Sequence, residues 1–306
     1  MKHFEYNGIP CRVHFGINVL SKLPSLMEKL GMKAAIFFST PQQEAMAESV
    51  GKIVGERAIT TLSKAEMHTP THVAEKAVLT VRGKSIDGII SIGGGSTIGL
   101  GQAIHMRTSL PHLCILTTYT GSEMTPILGE TENGRRVTKR EMKIFPDAVL
   151  YDIELSNTLP VRLRIYSGID AIAYVAEALY ASNTNPTIAF IAYQGIRALY
   201  EALLIIKARS EDGDARYRAL YGAWLSTPHH RQLFGRPHAE THVAVLPHAL
   251  ACNAPSMTAA MQKLAAALLD SEGDSIKGIS LLYDRLDIDV SLKRLDMAKP
   301  CIDEAF

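Results

Sequence analysis

Short, unbroken apolar runs alternate with helical patterns through the first half of the chain and then stop. That one-sided arrangement restricts the fold more than any single residue does. Ala34-Ala35-Ile36-Phe37-Phe38, Asp87-Gly88-Ile89-Ile90-Ser91-Ile92, His112-Leu113-Cys114-Ile115-Leu116 and Ala148-Val149-Leu150-Tyr151 read as strands. They lack the polar alternation of a strand with one wet face, so both faces are covered, as in a parallel sheet between helices. After Phe38, Ser39-Thr40-Pro41 turns into a polar helix from Gln42 to about Val50. From about Pro160 onward the stretches 165–181, 186–207, 214–225 and 256–269 are helical. The one doubtful strand-like run there is Val243-Ala244-Val245-Leu246. The pattern predicts an α/β N-terminal domain with a parallel sheet, residues 1–157, and an all-α C-terminal domain, residues 158–306.

The chain carries 32 basic and 31 acidic side chains. That balance argues against a nucleic-acid or membrane-surface partner, which shows as a basic excess or stripe. The run Lys139-Arg140-Glu141-Met142-Lys143 is interrupted by an acid and reads as a solvated loop. Cys11, Cys114, Cys252 and Cys301 have no paired spacing and read as buried, reduced thiols of a cytoplasmic protein. The N-terminus has no apolar signal core, and no segment is expected to approach the length of a membrane span.

Gly93-Gly94-Gly95-Ser96-Thr97 lies between a strand and a helix. Backbone without Cβ atoms can approach a phosphate closely, and the helix start offers free N–H groups and the positive end of its dipole. The spacing is not G-x-G-x-x-G, and a tight turn without a ligand is the alternative. Thr117-Thr118-Tyr119-Thr120-Gly121-Ser122-Glu123 again places hydroxyls and a glycine at a strand's C-terminal end, where open α/β sheets bind ligands. There the alternative is a capped helix start, with Thr120 or Ser122 as the cap. The first turn, around Thr40, has no Asp or Glu to hold a ribose 2′-hydroxyl and repel a 2′-phosphate. If it faces the adenosine ribose, NADPH is not excluded.

Five of the eleven histidines, His229, His230, His238, His242 and His248, fall within twenty residues or so, which points to metal binding or acid–base chemistry. His238 and His242 share a face if helical. Asp170 and Tyr174 are also four apart, on the helix that opens the second domain.

Together these stretches resemble the iron-containing alcohol dehydrogenase superfamily and, within it, the maleylacetate reductase family. The resemblance is carried by Phe4-Glu5-Tyr6 through Phe15-Gly16, the turn 93–97 with Gly99 and Gly101, and the run 117–126. Glu130-Thr131-Glu132-Asn133-Gly134, Glu177-Ala178-Leu179-Tyr180-Ala181 and above all Pro237-His238-Ala239-Glu240-Thr241-His242 complete it. It implies a dehydroquinate synthase-like fold: a dinucleotide-binding α/β domain, an all-helical catalytic domain and a cleft between them. It implies NADH or NADPH as cofactor, held by Gly93, Gly94, Gly95, Ser96, Thr97, Thr117, Thr118, Tyr119 and Thr40. Arg136 stands where the superfamily has a cofactor-contacting lysine. The implied reaction is reduction of the carbon–carbon double bond of maleylacetate to 3-oxoadipate in aromatic-compound breakdown, by a cytoplasmic homodimer acting on a small dicarboxylate. His242 and His238, with His230 third, are the expected catalytic residues. Metal-dependent members use an Asp, a His four residues on and two later His. Asp170 matches, Tyr174 replaces the first His, and His230 and His238 are too close together, so no catalytic metal is expected. Between Trp224 and Pro237 the chain is shorter than the family pattern, where a helix and a further histidine would stand, and it stops at Phe306, before the helices that close the second domain. The other readings are a metal-dependent alcohol or aldehyde dehydrogenase of the same superfamily, and a non-catalytic NAD(H)-binding remnant.

Overall fold

In the computed structural model, which describes residues 3, 4, 6, 8, 11–119, 121–182, 184–226 and 239–288, each apolar run of the first half is a strand. In chain order come β1 (Arg12–Gly16), α1 (Leu23–Lys29), β2 (Ala35–Phe38), α2 (Glu44–Val54), β3 (Ala58–Leu62) and α3 (Thr71–Gly83). They are followed by β4 (Gly88–Gly93), α4 (Gly95–Thr108), β5 (His112–Leu116), β6 (Ile127–Glu132), β7 (Arg135–Arg140) and β8 (Ala148–Asp152). Six strands form one parallel sheet in the order β1-β8-β5-β4-β2-β3.

Side-chain alternation along β2 explains why the run had to be apolar throughout. Ala35 and Phe37 join a core with Leu23, Leu26 and Met27 of α1 and Ala47, Val50 and Val54 of α2. Ile36 and Phe38 point the other way, into a core with Ala74, Ala77 and Val81 of α3 and Leu100, Ala103 and Ile104 of α4. Both faces are therefore dry, and the sheet is doubly wound. After β2 the chain moves to β3 on one side, and after β4 it moves to β5 on the other. The strand order thus reverses between β2 and β4, and in open α/β sheets the crevice beyond the C-terminal ends of such a pair is where ligands bind.

Two strands have no clean apolar run: β1, Arg-Val-His-Phe-Gly, and β3, Ala-Ile-Thr-Thr-Leu, which sit at the two edges. The charged run at 139–143 is not wholly a loop. Lys139 and Arg140 end β7, which pairs antiparallel with β6. The hairpin is fastened by buried Glu130, which accepts from Arg107 of α4 at 2.6 Å and from Lys139 at 3.2 Å.

A contact-based division places the join between two compact units at Leu159–Pro160, and groups His3, Phe4 and Tyr6 with the second unit rather than the first. The second unit is helical: α5 (Val161–Tyr180), α6 (Pro186–Ala208), α7 (Gly213–Ser226), α8 (Ala239–Asn253), α9 (Thr258–Ala267) and α10 (Ser275–Leu286). The run 243–246 lies within α8 and is not a strand. The buried residues of this helix, Val243, Ala244, Leu246 and Leu250, recur with helical spacing. Gly195 of α6 and Gly222 of α7 meet closely, a Cβ on Gly222 standing 2.9 Å from the Gly195 carbonyl oxygen. Contrary to the expectation from sequence, α6 has the length and apolarity to cross a membrane. Its Ala192, Ile196, Leu199, Leu203 and Ile206 are buried within the helical unit, and its Arg197 and Glu201 form an ion pair at 3.2 Å. Cys114 is buried, Cys11 half-buried and Cys252 exposed, so the thiols are not uniformly buried; all three are free, and Cys301 lies outside the described residues.

Candidate active site

The glycine-rich segment is the turn from β4 into α4, at the reversal of strand order. Gly93 has φ +150°, a conformation that side chains disfavour, and a Cβ there would stand 2.6 Å from Gln43 Oε1 and 2.7 Å from Thr97 Oγ1. Gly94 is extended, but a Cβ on it would lie 2.8 Å from Thr118 Oγ1. Gly95 and Ser96 open α4, so their amides have no acceptor within the helix and sit at its positive end. Thr97 is fully buried, and its hydroxyl has no hydrogen-bond partner. This donor set, with room kept clear by missing side chains, fits a pyrophosphate.

Parallel register brings the neighbouring loops to the same edge. Leu116 of β5 lies beside Gly93, and Phe38 of β2 lies beside Ser91. The Thr117 amide donates to the Gly93 carbonyl at 3.2 Å. Gln43, which the sequence did not single out, donates from Nε2 to Thr117 Oγ1 at 2.8 Å, and the Thr40 hydroxyl reaches its Oε1 at 3.5 Å. Thr40, Gly93, Gly94, Thr97, Thr117 and Thr118 are thus neighbours. Tyr119 is buried on the same loop. Thr120 lies outside the described residues, and the short 3-10 turn 122–124 that follows is preceded by Gly121, with no side-chain cap from Ser122. Arg136 is elsewhere: it lies on exposed β7, opposite Thr131, with its guanidinium beside Gly129.

The loop is anchored from beneath. Gln102 of α4 donates to the Ser122 carbonyl at 3.1 Å. Glu123 is buried and accepts from the Tyr151 hydroxyl at 2.5 Å. Burial pushes the Glu123 carboxyl up to about 7, against the lowering effect of the Tyr151 bond.

In the helical unit, Asp170 of α5 is not a solvated charge; it is buried and accepts from His242 Nδ1 of α8 at 2.7 Å. This bond raises the His242 pKa, opposed by partial burial, and Asp170 and Glu177 add to it through their charges. Burial raises Asp170 in turn, with the His242 bond opposing. The Tyr174 ring, one turn along α5, packs edge-on against His242 with centroids 5.1 Å apart. With Nδ1 committed to Asp170, Nε2 is the nitrogen left for a ligand. His248 is exposed on α8, whereas His229, His230 and His238 lie outside the described residues. Among the described residues no three His, Cys, Asp or Glu side chains are grouped to hold a metal ion, and the Asp170 carboxylate already serves His242.

Fold and strand-end turn define a class, and comparison bears it out: residues 10–153 match the iron-containing alcohol dehydrogenase family. The maleylacetate reductase of Burkholderia cepacia is 42% identical, over 100% of this chain and 90% of its own. That of Sphingobium indicum is 39% identical, over 99% and 89%. The crystal structure of maleylacetate reductase from Agrobacterium tumefaciens superposes with a TM-score of 0.94 at 38% identity, covering 99% of this chain and 90% of the other. Within the iron-containing alcohol dehydrogenase superfamily, the chain belongs to the maleylacetate reductase family.

Proposed function

We propose that the protein reduces the carbon–carbon double bond of maleylacetate to 3-oxoadipate, using NADH or NADPH. The observation that carries this reading is the similarity to maleylacetate reductases over the whole chain and nine-tenths of theirs. The geometry supplies a chemistry consistent with it. A bound nicotinamide would supply the hydride for the alkene carbon β to the ketone.

Gly93, Gly94, Gly95, Ser96 and Thr97 would hold the pyrophosphate with amides and hydroxyls, Thr117, Thr118 and Tyr119 would serve the nicotinamide half, and Thr40 the adenosine ribose. No acidic side chain stands at Ser39, Thr40 or Pro41 to repel a 2′-phosphate, which is why both cofactors are kept. Arg136 is assigned to the cofactor by its place in the family pattern alone.

His242, oriented through Nδ1 by Asp170, presents Nε2 to the charge that develops on the ketone oxygen as the alkene electrons shift to form the enolate. A proton transferred from His242, or from His238 or His230 outside the described residues, to the α carbon completes the reduction. The Asp170 bond raises the His242 pKa, which favours its acting as a proton donor. No step is routed through a metal.

The reading carries with it a homodimer working in the cytoplasm on a small dicarboxylate, without nucleic-acid or membrane partners. The near-neutral charge of +1 supports the last part alone, the absence of nucleic-acid and membrane-surface partners. The test is NADH and NADPH oxidation by the purified protein with maleylacetate, with and without chelator. Turnover that survives chelation is expected. No consumption with maleylacetate would overturn the substrate assignment, and activity lost to chelator and restored by zinc or iron would overturn the metal-free mechanism in favour of the metal-dependent one.

A further inference from the structure

We propose that Gln43 is a positioning residue for the dinucleotide, its side-chain amide spanning the crevice at the strand-order reversal and fixing the distance between the loops on either side. The inference rests on the dinucleotide reading given above.

Three loops leave neighbouring strands at this edge of the sheet, after β2, β4 and β5. Each is held to its own strand, and little backbone pairing ties them together beyond the Thr117 amide to the Gly93 carbonyl. Gln43 starts from the β2 side. Its Nε2 reaches Thr117 on the β5 side at 2.8 Å, while its Oε1 receives the Thr40 hydroxyl at 3.5 Å. Between these two points the side chain crosses over Gly93, so closely that a Cβ on Gly93 would meet Oε1 at 2.6 Å. The space under Gln43 is bounded on its other side by Thr97 Oγ1, 2.7 Å from the same point, a buried hydroxyl with no hydrogen-bond partner. Gln43 therefore packs over the floor of the glycine-rich turn, beside the buried Thr97 hydroxyl.

The residue type fits the task. The amide can donate to Thr117 and accept from Thr40 at once, which neither a carboxylate nor an ammonium can do. It is neutral, whereas a Glu in its place would set a negative charge beside the phosphates. Its two methylenes make the crossing. A cradle whose loops are already spaced binds without first ordering them, and that is where such a residue contributes affinity.

The test measures NADH affinity by fluorescence titration for wild type, Gln43→Ala and Gln43→Met, with the melting temperature of each without cofactor. Gln43→Met keeps the volume and removes both hydrogen bonds. Both variants are expected to bind NADH about tenfold more weakly, in keeping with one or two lost hydrogen bonds. KM for NADH should rise in proportion, with kcat falling by a smaller factor. Thr117→Val, combined with Gln43→Met, should lose less than the sum of the two single losses, because the same bond is removed twice. Unchanged affinity in the Gln43 variants would overturn the proposal, as would additive losses in the double variant, or affinity lost only in step with melting temperature. If wild type itself binds neither NADH nor NADPH, the dinucleotide reading fails instead.

Discussion

Replacing Gly94 with valine separates the cradle's fold from its use. Gly94 has φ −101° and ψ −160°, an extended conformation that a β-branched residue adopts readily. The backbone is therefore not strained by the change, unlike at Gly93. The conflict is with the neighbouring loop: the Cβ would stand 2.8 Å from Thr118 Oγ1 and 3.0 Å from its Cγ2. An unstrained contact lies near 3.5 Å, so Thr118 must retreat by roughly 0.5–0.7 Å, and the two γ-methyl groups then occupy the approach to the α4 amides. If they displace a phosphate from two charge-assisted hydrogen bonds, worth about 1.5–3 kcal/mol each, NADH binding weakens by roughly two orders of magnitude or more. Fluorescence titration with NADH, beside a thermal melt without cofactor, reads both quantities. Affinity within threefold of wild type would refute the assignment of this turn. Affinity lost together with most of the thermal stability would refute the claim that the conflict is local.

Three further outcomes are expected. His242→Asn should lower kcat by about 100- to 1,000-fold with NADH affinity within a few-fold, as for one donor aimed at developing charge; near-normal turnover would reject the catalytic role. Gly101→Ala should destabilise the α/β unit by about 2–4 kcal/mol, because its Cβ would fall 2.1 Å from Ser91 Oγ and 2.3 Å from His112 Nε2, whose buried hydrogen bond is 2.9 Å long; a melt within about 2 °C of wild type would contradict that. Glu123 has its folded pKa raised from 4.5 to about 7, so it binds a proton more tightly folded than unfolded, and its contribution is fully present below pH 4.5 and lost as pH rises to about 7. Glu123→Gln should accordingly gain stability relative to wild type across that window, by up to about 3 kcal/mol at pH 8, and a pH-independent difference in melting between the two would overturn the prediction.

What the sequence made legible follows from what buries it. Central strands β2, β4, β5 and β8 are covered on both faces, so apart from His112 and Asp152 at strand ends and Tyr151 their positions are apolar or small, and the run is visible without any periodicity. Edge strands β1 and β3 are only partly covered and admit Arg12, His14, Thr60 and Thr61, which break the signal. The hairpin strand β7 is exposed along its length, and its charge reads as loop because backbone pairing, not burial, makes it a strand. In α8 the four residues 243–246, two of them valines, are apolar enough to imitate a strand, but the burial that continues to Leu250 has the helical period. The glycine-rich turn was legible because Gly93 and Gly94 are required by close approach. Gln43 was not, since an amide carries no signature until Thr117, 74 residues away, is seen to receive it.

The same distance hid the pairing of Asp170 with His242, 72 residues apart, and that pairing bears on the chemistry of the helical unit. A carboxylate buried on α5 must be compensated, either by a cation or by hydrogen bonds. A metal held with further protein ligands is one answer; a histidine that donates through Nδ1 is another. Among the described residues the second is seen: Asp170 Oδ1 accepts from His242 Nδ1 at 2.7 Å. Tyr174, one turn along α5, packs edge-on to the same imidazole. With the carboxylate and the imidazole bound to each other, the pair retains one free donor nitrogen and a bias towards the charged histidine. An imidazole oriented in this way is the kind of donor that developing enolate charge calls for in the proposed reduction.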